Sequence, residues 1–224
     1  MRLDGKVVVI TGGGGALGRT VVPAFSQAGA TVVLIDRDPA SAQTGGLVPV
    51  KADVTDENDV RGAMTDVIQQ TGRIDALVNL VGGFATGRVA DTDLSLWERM
   101  LSLNLTAAFV LSRAVIPHMT QRRAGRIVHI AARAATDPFP GAAAYIVAKS
   151  GLVGLIRALA TELAGSGVTV NGVLPTTIDT LANRKSMPDA DSSKWVKPES
   201  VAQTLIFLAS EEAGQVNGGL IPVG

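Results

Sequence analysis

The 224-residue chain contains no cysteine, so it forms no disulfide and offers no thiolate to a metal or a nucleophilic mechanism. A reducing compartment, the cytoplasm, is the expected setting. Histidine is nearly absent too, with two residues. His118 falls near the end of an apolar-periodic segment and is expected to be solvated. His129 alternates with apolar residues in a strand pattern, and the spacing of the pair makes neither a metal ligand. Neither sign of charge is in excess, since 20 Lys and Arg balance 20 Asp and Glu. Nothing there suggests a basic surface for nucleic acid or an anionic membrane. Long apolar runs are missing as well. The window Ala142–Ala160 is broken by Lys149 and Arg157, so no membrane span is expected. The apolar run after the opening MRLDGK is too short for a signal peptide. There is no internal repeat. The hydrophobic content of 46% suffices for a single domain with a large core.

The one tyrosine of the chain, Tyr145, lies four residues before Lys149, at the start of an apolar-periodic segment that runs to Leu163. On a helix the two side chains share a face. A phenol with a pKa of about 10 is a poor acid or base at neutral pH. A cation one turn away stabilises the phenolate and brings it toward useful acid/base chemistry. Alone the spacing also fits a helical Tyr beside a surface Lys, and it gains meaning from what lies upstream.

There, the apolar run Val7–Ile10 reads as a strand buried on both faces of a parallel sheet. Thr11-Gly12-Gly13-Gly14-Gly15-Ala16-Leu17-Gly18 follows, then helical periodicity to Ala28. A strand, a glycine-rich turn and a helix in that order make a phosphate cradle, because free N–H groups and the positive dipole end meet the pyrophosphate. A second strand, Thr31–Ile35, ends in Asp36, placed to accept from the adenosine ribose and to repel a 2′-phosphate; Arg37 softens that preference. Gly45-Gly46 breaks the chain before the strand Leu47–Lys51. Asp53 reads equally as a contact to the adenine edge or as a loop or cap carboxylate.

Farther on, a helix is expected over Asp56–Gln70 and a strand over Ala76–Val81, leading into Gly82-Gly83-Phe84. A long helix spans Leu94–Met119, kinked near Ser102. It carries Asn104 in an apolar stretch, where a buried amide must find partners. A strand over Arg126–Ala131, a loop over Ala132–Ala144, the Tyr145 helix and a strand over Val168–Val173 come next. The polar segment Thr176–Lys197 then interrupts the order before a helix, Pro198–Ser210, and a strand, Gly219–Val223.

Thr11-Gly12 through Gly18, Asp53-Val54, Asn79 with Gly82, Asn104, Tyr145 with Lys149, and Pro175 through Thr180 together resemble the short-chain dehydrogenase/reductase family over essentially the whole chain. The resemblance implies a single α/β domain, a doubly wound parallel sheet of seven strands of Rossmann type, and a homodimer or homotetramer. It implies that Tyr145 is the acid/base, that Lys149 holds the nicotinamide ribose and lowers the tyrosine pKa, and that Asn104 supports a proton-relay water. Thr11, Gly12, Gly15, Ala16, Leu17, Gly18, Asp36, Arg37, Asp53, Val54, Asn79, Val81, Gly82, Pro175, Ile178 and Thr180 are the cofactor-binding expectations, with NADH preferred and NADPH not excluded. Phe84, Ala132, Arg133, Thr176 and Thr177 are the substrate-side expectations, and residues 176–197 the substrate flap.

The departures are specific. The family's glycine pattern meets Ala16, its Asn-Asn-Ala-Gly reads Asn79-Leu80-Val81-Gly82, and its catalytic serine, thirteen positions before the tyrosine, is Ala132. The dihydropteridine reductase branch shares the Gly-Ala-Leu-Gly turn and the missing serine. Gly82-Gly83-Phe84, Ala132-Arg133-Ala134-Ala135, Leu174–Thr180 and Asn183–Pro188 are similar to its corresponding stretches. A quinonoid dihydropterin or similar conjugated ring is therefore the expected small-molecule substrate. A carbonyl reductase lacking the serine, and a cofactor-binding protein with little catalysis, are the alternatives.

Overall fold

The computed structural model describes residues 1–39 and 47–224; the expected Gly45-Gly46 break lies outside the described residues. Seven parallel strands form one sheet in the order β3-β2-β1-β4-β5-β6-β7. They are β1 (Val7–Thr11), β2 (Thr31–Asp36), β3 (Val48–Lys51), β4 (Ala76–Asn79), β5 (Gly125–Ile130), β6 (Val168–Pro175) and β7 (Leu220–Val223). The strand order reverses between β1 and β4, and their carboxyl ends open onto a crevice there, as doubly wound sheets require.

The all-apolar strands follow from burial on both faces. In β1, Val7 and Val9 point into a core shared with helices α2 (Glu57–Thr71), α4 (Ala107–Arg122) and α5 (Ala143–Glu162). Val8 and Ile10 point the other way, into a core shared with α1 (Gly18–Gln27) and α7 (Pro198–Ala209). With a side-chain period of two, burial on both faces makes the run Val7–Ile10 apolar throughout.

Helix ends are set locally. Asp56 is the N-cap of α2, accepting from the amides of Asn58 and Asp59 at 2.8 and 3.0 Å, and Gly72 closes it at φ 73°. Asp93 caps α3 (Leu94–Leu101) through the amide of Leu96 at 2.7 Å. Among the described residues no side chain caps α1, and no acidic residue occupies its first turn.

Several boundaries differ from the sequence reading. The segment expected as one kinked helix is α3 and α4 joined by a π-helical turn, Ser102–Thr106. The carbonyl ladder widens there to make room for the Asn104 side chain. The loop after β5 contains a short 3₁₀ turn, Arg133–Ala135, and α5 starts two residues before Tyr145. The polar segment after β6 is ordered by the short helix α6 (Leu181–Ser186), whose N-cap Thr180 accepts from the amide of Asn183 at 3.2 Å, and by the 3₁₀ turn Ser192–Lys194.

His118 is not solvated: half-buried, its Nε2 accepts from the Ile74 amide at 3.2 Å and covers the start of β4. Two helical stretches, Leu94–Arg122 and Ala143–Glu162, are long and apolar enough to cross a membrane by length and composition. Both lie against the sheet here, with Leu111, Val115, Leu152 and Ile156 in the core.

Candidate active site

The crevice beyond the strand ends is a cleft of about 460 Å³. The glycine turn forms its floor, through Gly12, Gly15, Ala16, Leu17 and Gly18. Each glycine has its own reason. Gly12 has φ +72°, and a Cβ there would meet the Val81 side chain at 2.9 Å. A Cβ on Gly18 would lie 2.2 Å from the Gly13 carbonyl oxygen, so this glycine lets α1 press onto the turn. The Ala16 methyl is exposed and its φ is negative, so alanine replaces the family's glycine without strain. Among the described residues the amides of Ala16 and Leu17 have no hydrogen-bond acceptor. Two free N–H groups at the uncapped start of α1 are the donors an anionic pyrophosphate needs.

Asp36 and Arg37, at the end of β2, form one side of the cleft. The Asp36 carboxylate accepts from the Gly14 amide at 3.0 Å and from the Asp38 amide at 3.2 Å, which fixes it beside the turn. Asp53 and Val54 line the next stretch. Asp53 accepts from the Thr55 hydroxyl at 2.6 Å and the Thr55 amide at 2.9 Å, and these bonds hold its carboxyl below the usual range. Asp53 thus braces a loop and also faces the cleft. Val81 and Gly82 form the opposite wall. Thr55 and Leu103 line the cleft too. Neither carried a sequence signal, because Leu103 arrives only through the π-helical turn.

Thr11 and Asn79 stand behind the cleft. Both are buried, and the Thr11 hydroxyl donates to Asn79 Oδ1 at 2.7 Å. The same oxygen accepts from the Val81 amide at 3.0 Å, so Asn79 shapes the wall from within. Asn104 clamps the following residue: its Oδ1 accepts from the Gly83 amide at 3.1 Å, and its Nδ2 donates to the carbonyls of Gly83 and Met100, both at 3.0 Å. A buried amide with three good partners accounts for an Asn inside an apolar helix.

At the far end, Tyr145 is partly buried, and the Phe84 ring meets it edge-on with centroids 5.0 Å apart. Phe139 lies 6.5 Å beyond Phe84. Phe84 and Phe139 are 59% and 44% exposed, so this aromatic wall faces open space. Lys149 is buried and donates from Nζ to the Ile130 carbonyl at 2.7 Å. The expectation that Lys149 lowers the tyrosine pKa is not met in this arrangement. Burial alone pushes the phenol up to about 12, and burial pushes the ammonium down to about 8. The Lys149 charge is directed at a carbonyl, and no hydrogen bond joins it to the phenol among the described residues.

A Cβ on Gly82 would lie 2.8 Å from Asn104 Oδ1 and 3.3 Å from Lys149 Nζ. The bare backbone at Gly82 therefore leaves a shelf between the cleft and the Tyr145–Lys149 helix.

Ala132 is buried and extended, and its side chain carries no donor. Arg133 beside it is ion-paired with Asp137. On the flap side, Pro175 is buried, Thr176 donates its amide to the Val223 carbonyl at 3.2 Å, and the Thr177 carbonyl accepts from the Val196 amide at 2.8 Å. Ile178 bridges to Val196, and its carbonyl accepts from Asn183 Nδ2 at 2.8 Å. Thr180 is committed to its capping bond. These flap residues brace the segment, and none of them lines the described cleft.

These residues fit a dinucleotide: free amides at the turn, an acceptor at the end of β2, and a wall kept bare of Cβ atoms at Gly12 and Gly82. Bound there, it would lie across the strand ends and bring a nicotinamide toward Gly82, Tyr145 and Lys149.

Residues 6–191 match the family model described as short chain dehydrogenase. The chain is 34% identical to 2-(S)-hydroxypropyl-CoM dehydrogenase 3 of Xanthobacter autotrophicus, over 99% of this chain and 96% of that protein. It is 32% identical to the 3-oxoacyl-[acyl-carrier-protein] reductase of Thermotoga maritima, over 100% and 98%. Its structure superposes on the 3-ketoacyl-(acyl-carrier-protein) reductase of Brucella melitensis complexed with NADH with a TM-score of 0.90 at 28% identity, covering 98% and 97% of the two chains. By motif order, sheet topology and full-length likeness, the chain belongs to the short-chain dehydrogenase/reductase family and is an NAD(P)-dependent oxidoreductase.

Proposed function

We propose that this oxidoreductase transfers hydride between NAD(H) and a flat conjugated ring of the quinonoid dihydropterin class. The observation that carries the reading is Ala132. A carbonyl reductase needs a donor where negative charge develops on the substrate oxygen, and such a donor is worth on the order of 10²-fold or more. Ala132 offers a buried methyl instead. A quinonoid ring takes up hydride and a proton without building a full alkoxide, so the missing hydroxyl costs it little. The exposed Phe84 and Phe139, stepping away from Tyr145, suit a planar ring.

The nicotinamide, when bound, supplies the hydride. Tyr145 gives up its phenolic proton to the reduced ring. Lys149 would hold the nicotinamide ribose, and its charge beside the phenol would favour the phenolate and lower the proton's cost. Asn104 keeps Gly83 and the π-helical turn fixed beside them. The protein acts as a homodimer or homotetramer through the outer faces of α4 and α5, in a reducing cytoplasm that suits a chain without cysteine.

The names of the relatives favour a second reading, a reductase of oxo substrates in which Thr176 or Thr177 stands in for the lost serine. One comparison separates the two: NADH oxidation with a quinonoid dihydropterin and with a set of ketones, in wild type and in Ala132→Ser. The pterin reading expects wild-type turnover of the pterin and no gain in the variant. A wild type inert to the pterin, with a variant strongly active on ketones, establishes the second reading instead.

A further inference from the structure

A chain of buried polar side chains runs through the sheet behind the cleft. Thr11, Asn79, Ser112 and His129 are each at most 2% exposed, and they come from β1, β4, α4 and β5. The Thr11 hydroxyl meets Asn79 Oδ1 at 2.7 Å, Asn79 Nδ2 meets His129 Nδ1 at 3.3 Å, and His129 Nε2 meets Ser112 Oγ at 3.0 Å. Ser112 Oγ also lies 2.7 Å from the Ala108 carbonyl.

The protons in this chain can be placed. A carbonyl only accepts, so the single Ser112 hydroxyl proton goes to Ala108. Ser112 Oγ is then an acceptor for His129, and Nε2 must carry the ring proton. His129 Nδ1 is left as a lone pair, which takes a proton from the Asn79 amide nitrogen. That leaves Asn79 Oδ1 for two donors, the Thr11 hydroxyl and the Val81 amide at 3.0 Å. Every group is satisfied in one direction. With Nδ1 protonated instead, either N–H would face NH₂, or the Asn79 amide would turn over and set its NH₂ against the Val81 N–H. Burial, and then the nearby Lys149 charge, push the ring down to about 3, so it stays neutral.

We propose that His129 is a positioning residue for cofactor binding: as a neutral ring protonated on Nε2, it fixes which way the Asn79 amide points. It thereby holds the Val81–Gly82 backbone on the cleft wall. Its effect passes through Asn79, and it touches no cleft surface itself. The proposal rests on the nicotinamide cleft and on no particular substrate, so it survives or fails apart from the pterin reading.

Two measurements test it. With ¹⁵N-histidine labelling the spectrum contains two rings, and His118→Gln assigns them. His129 is expected as an Nε2–H tautomer that does not titrate between pH 5 and 8. In NADH titrations followed by fluorescence, His129→Leu is expected to bind about tenfold more weakly, the loss of one buried hydrogen bond and the orientation it enforces. His129→Asn, whose Oδ1 can accept from Asn79, is expected to recover most of that loss. Ser112→Ala removes the acceptor of the Nε2 proton at little cost in packing, and is expected to mix the two tautomers and weaken NADH about threefold. It carries the binding test if His129→Leu does not fold. An Nδ1–H tautomer in the wild type, a ring that titrates, or variants that bind NADH within experimental error of the wild type overturns the proposal.

Discussion

Lys149 Nζ donates to the main-chain carbonyl of Ile130 at 2.7 Å, although Tyr145 stands one helical turn before it. Without cofactor, the cation therefore stabilises the end of β5 and leaves the phenol weakly acidic. On the mechanism proposed here, Tyr145 is activated only by a ligand that draws the ammonium away from that carbonyl.

The first expectation is for the phenol itself. Tyr145→Phe should lose roughly 10²–10⁴-fold in turnover, the usual worth of a positioned acid/base. It should keep its NADH affinity, since the ring packing against Phe84 survives. Steady-state rates and a binding titration check both halves, and turnover near that of the wild type removes Tyr145 from the mechanism.

Lys149 gives a pH dependence of stability with a definite sign. Its folded pKa lies near 8 against 10.5 for the free side chain, so the folded state binds fewer protons between those values. Stability of the cofactor-free protein is then expected to rise with pH from about 8 toward 10, by at most about 1 kcal/mol per pH unit. Tyr145, raised to about 12, works in the opposite direction only above pH 10. Urea unfolding at pH 7.5, 8.5 and 9.5 should show the rise in the wild type and its loss in Lys149→Met.

Two glycines should respond oppositely to alanine. At Gly82 a methyl would collide with Asn104 Oδ1 and crowd Lys149 Nζ, so Gly82→Ala should weaken NADH by about tenfold or more, the scale of one lost polar contact. At Gly62, exposed within α2, nothing lies within 4 Å of the new methyl. Gly62→Ala should stabilise the fold by about 0.4–1 kcal/mol through the unfolded chain. Thermal unfolding and NADH titration of both variants report the contrast.

Asp36 should make NADH the preferred cofactor. Its carboxylate is anchored by the Gly14 amide and would face an added 2′-phosphate. Asp36→Asn keeps an acceptor for that amide while removing the charge, and should gain NADPH affinity with little change for NADH. Wild-type protein that binds NADPH as tightly as NADH would mean that Arg37 governs the site.

The outer faces of α4 and α5 leave Phe109 and Val147 44% and 46% exposed, within helices whose inner faces fill the core. Sedimentation at micromolar concentration is expected to give a dimer or tetramer, and Phe109→Glu to dissociate it. A wild-type monomer refutes the arrangement.

The strands were legible because burial on both faces leaves a bare apolar run, as in Val7–Ile10. The glycine turn was legible because it sits between such a run and a helix. The kink near Ser102 was legible but its π-helical form was not, because Ser-Leu-Asn-Leu-Thr has the same apolar spacing in an α-helical and a π-helical turn. Nor was the Lys149–Ile130 bond, since a four-carbon side chain reaches partners that no local spacing encodes. His118 looked like a surface residue because its acceptor role toward Ile74 depends on backbone 44 positions away. Ala132 was legible only by what its position lacks.

The π-helical turn at Ser102–Thr106 also limits how this segment can change in length. Each residue in a helix turns its successors by about 100°. A π-helical turn holds one residue more than the α-helical turn it replaces, so deleting one residue there would close it to an ordinary turn, leaving Leu111, Val115 and Met119 toward the sheet while withdrawing Asn104 from Gly83. A single insertion finds no such slack and would rotate the sixteen residues of α4 against the sheet.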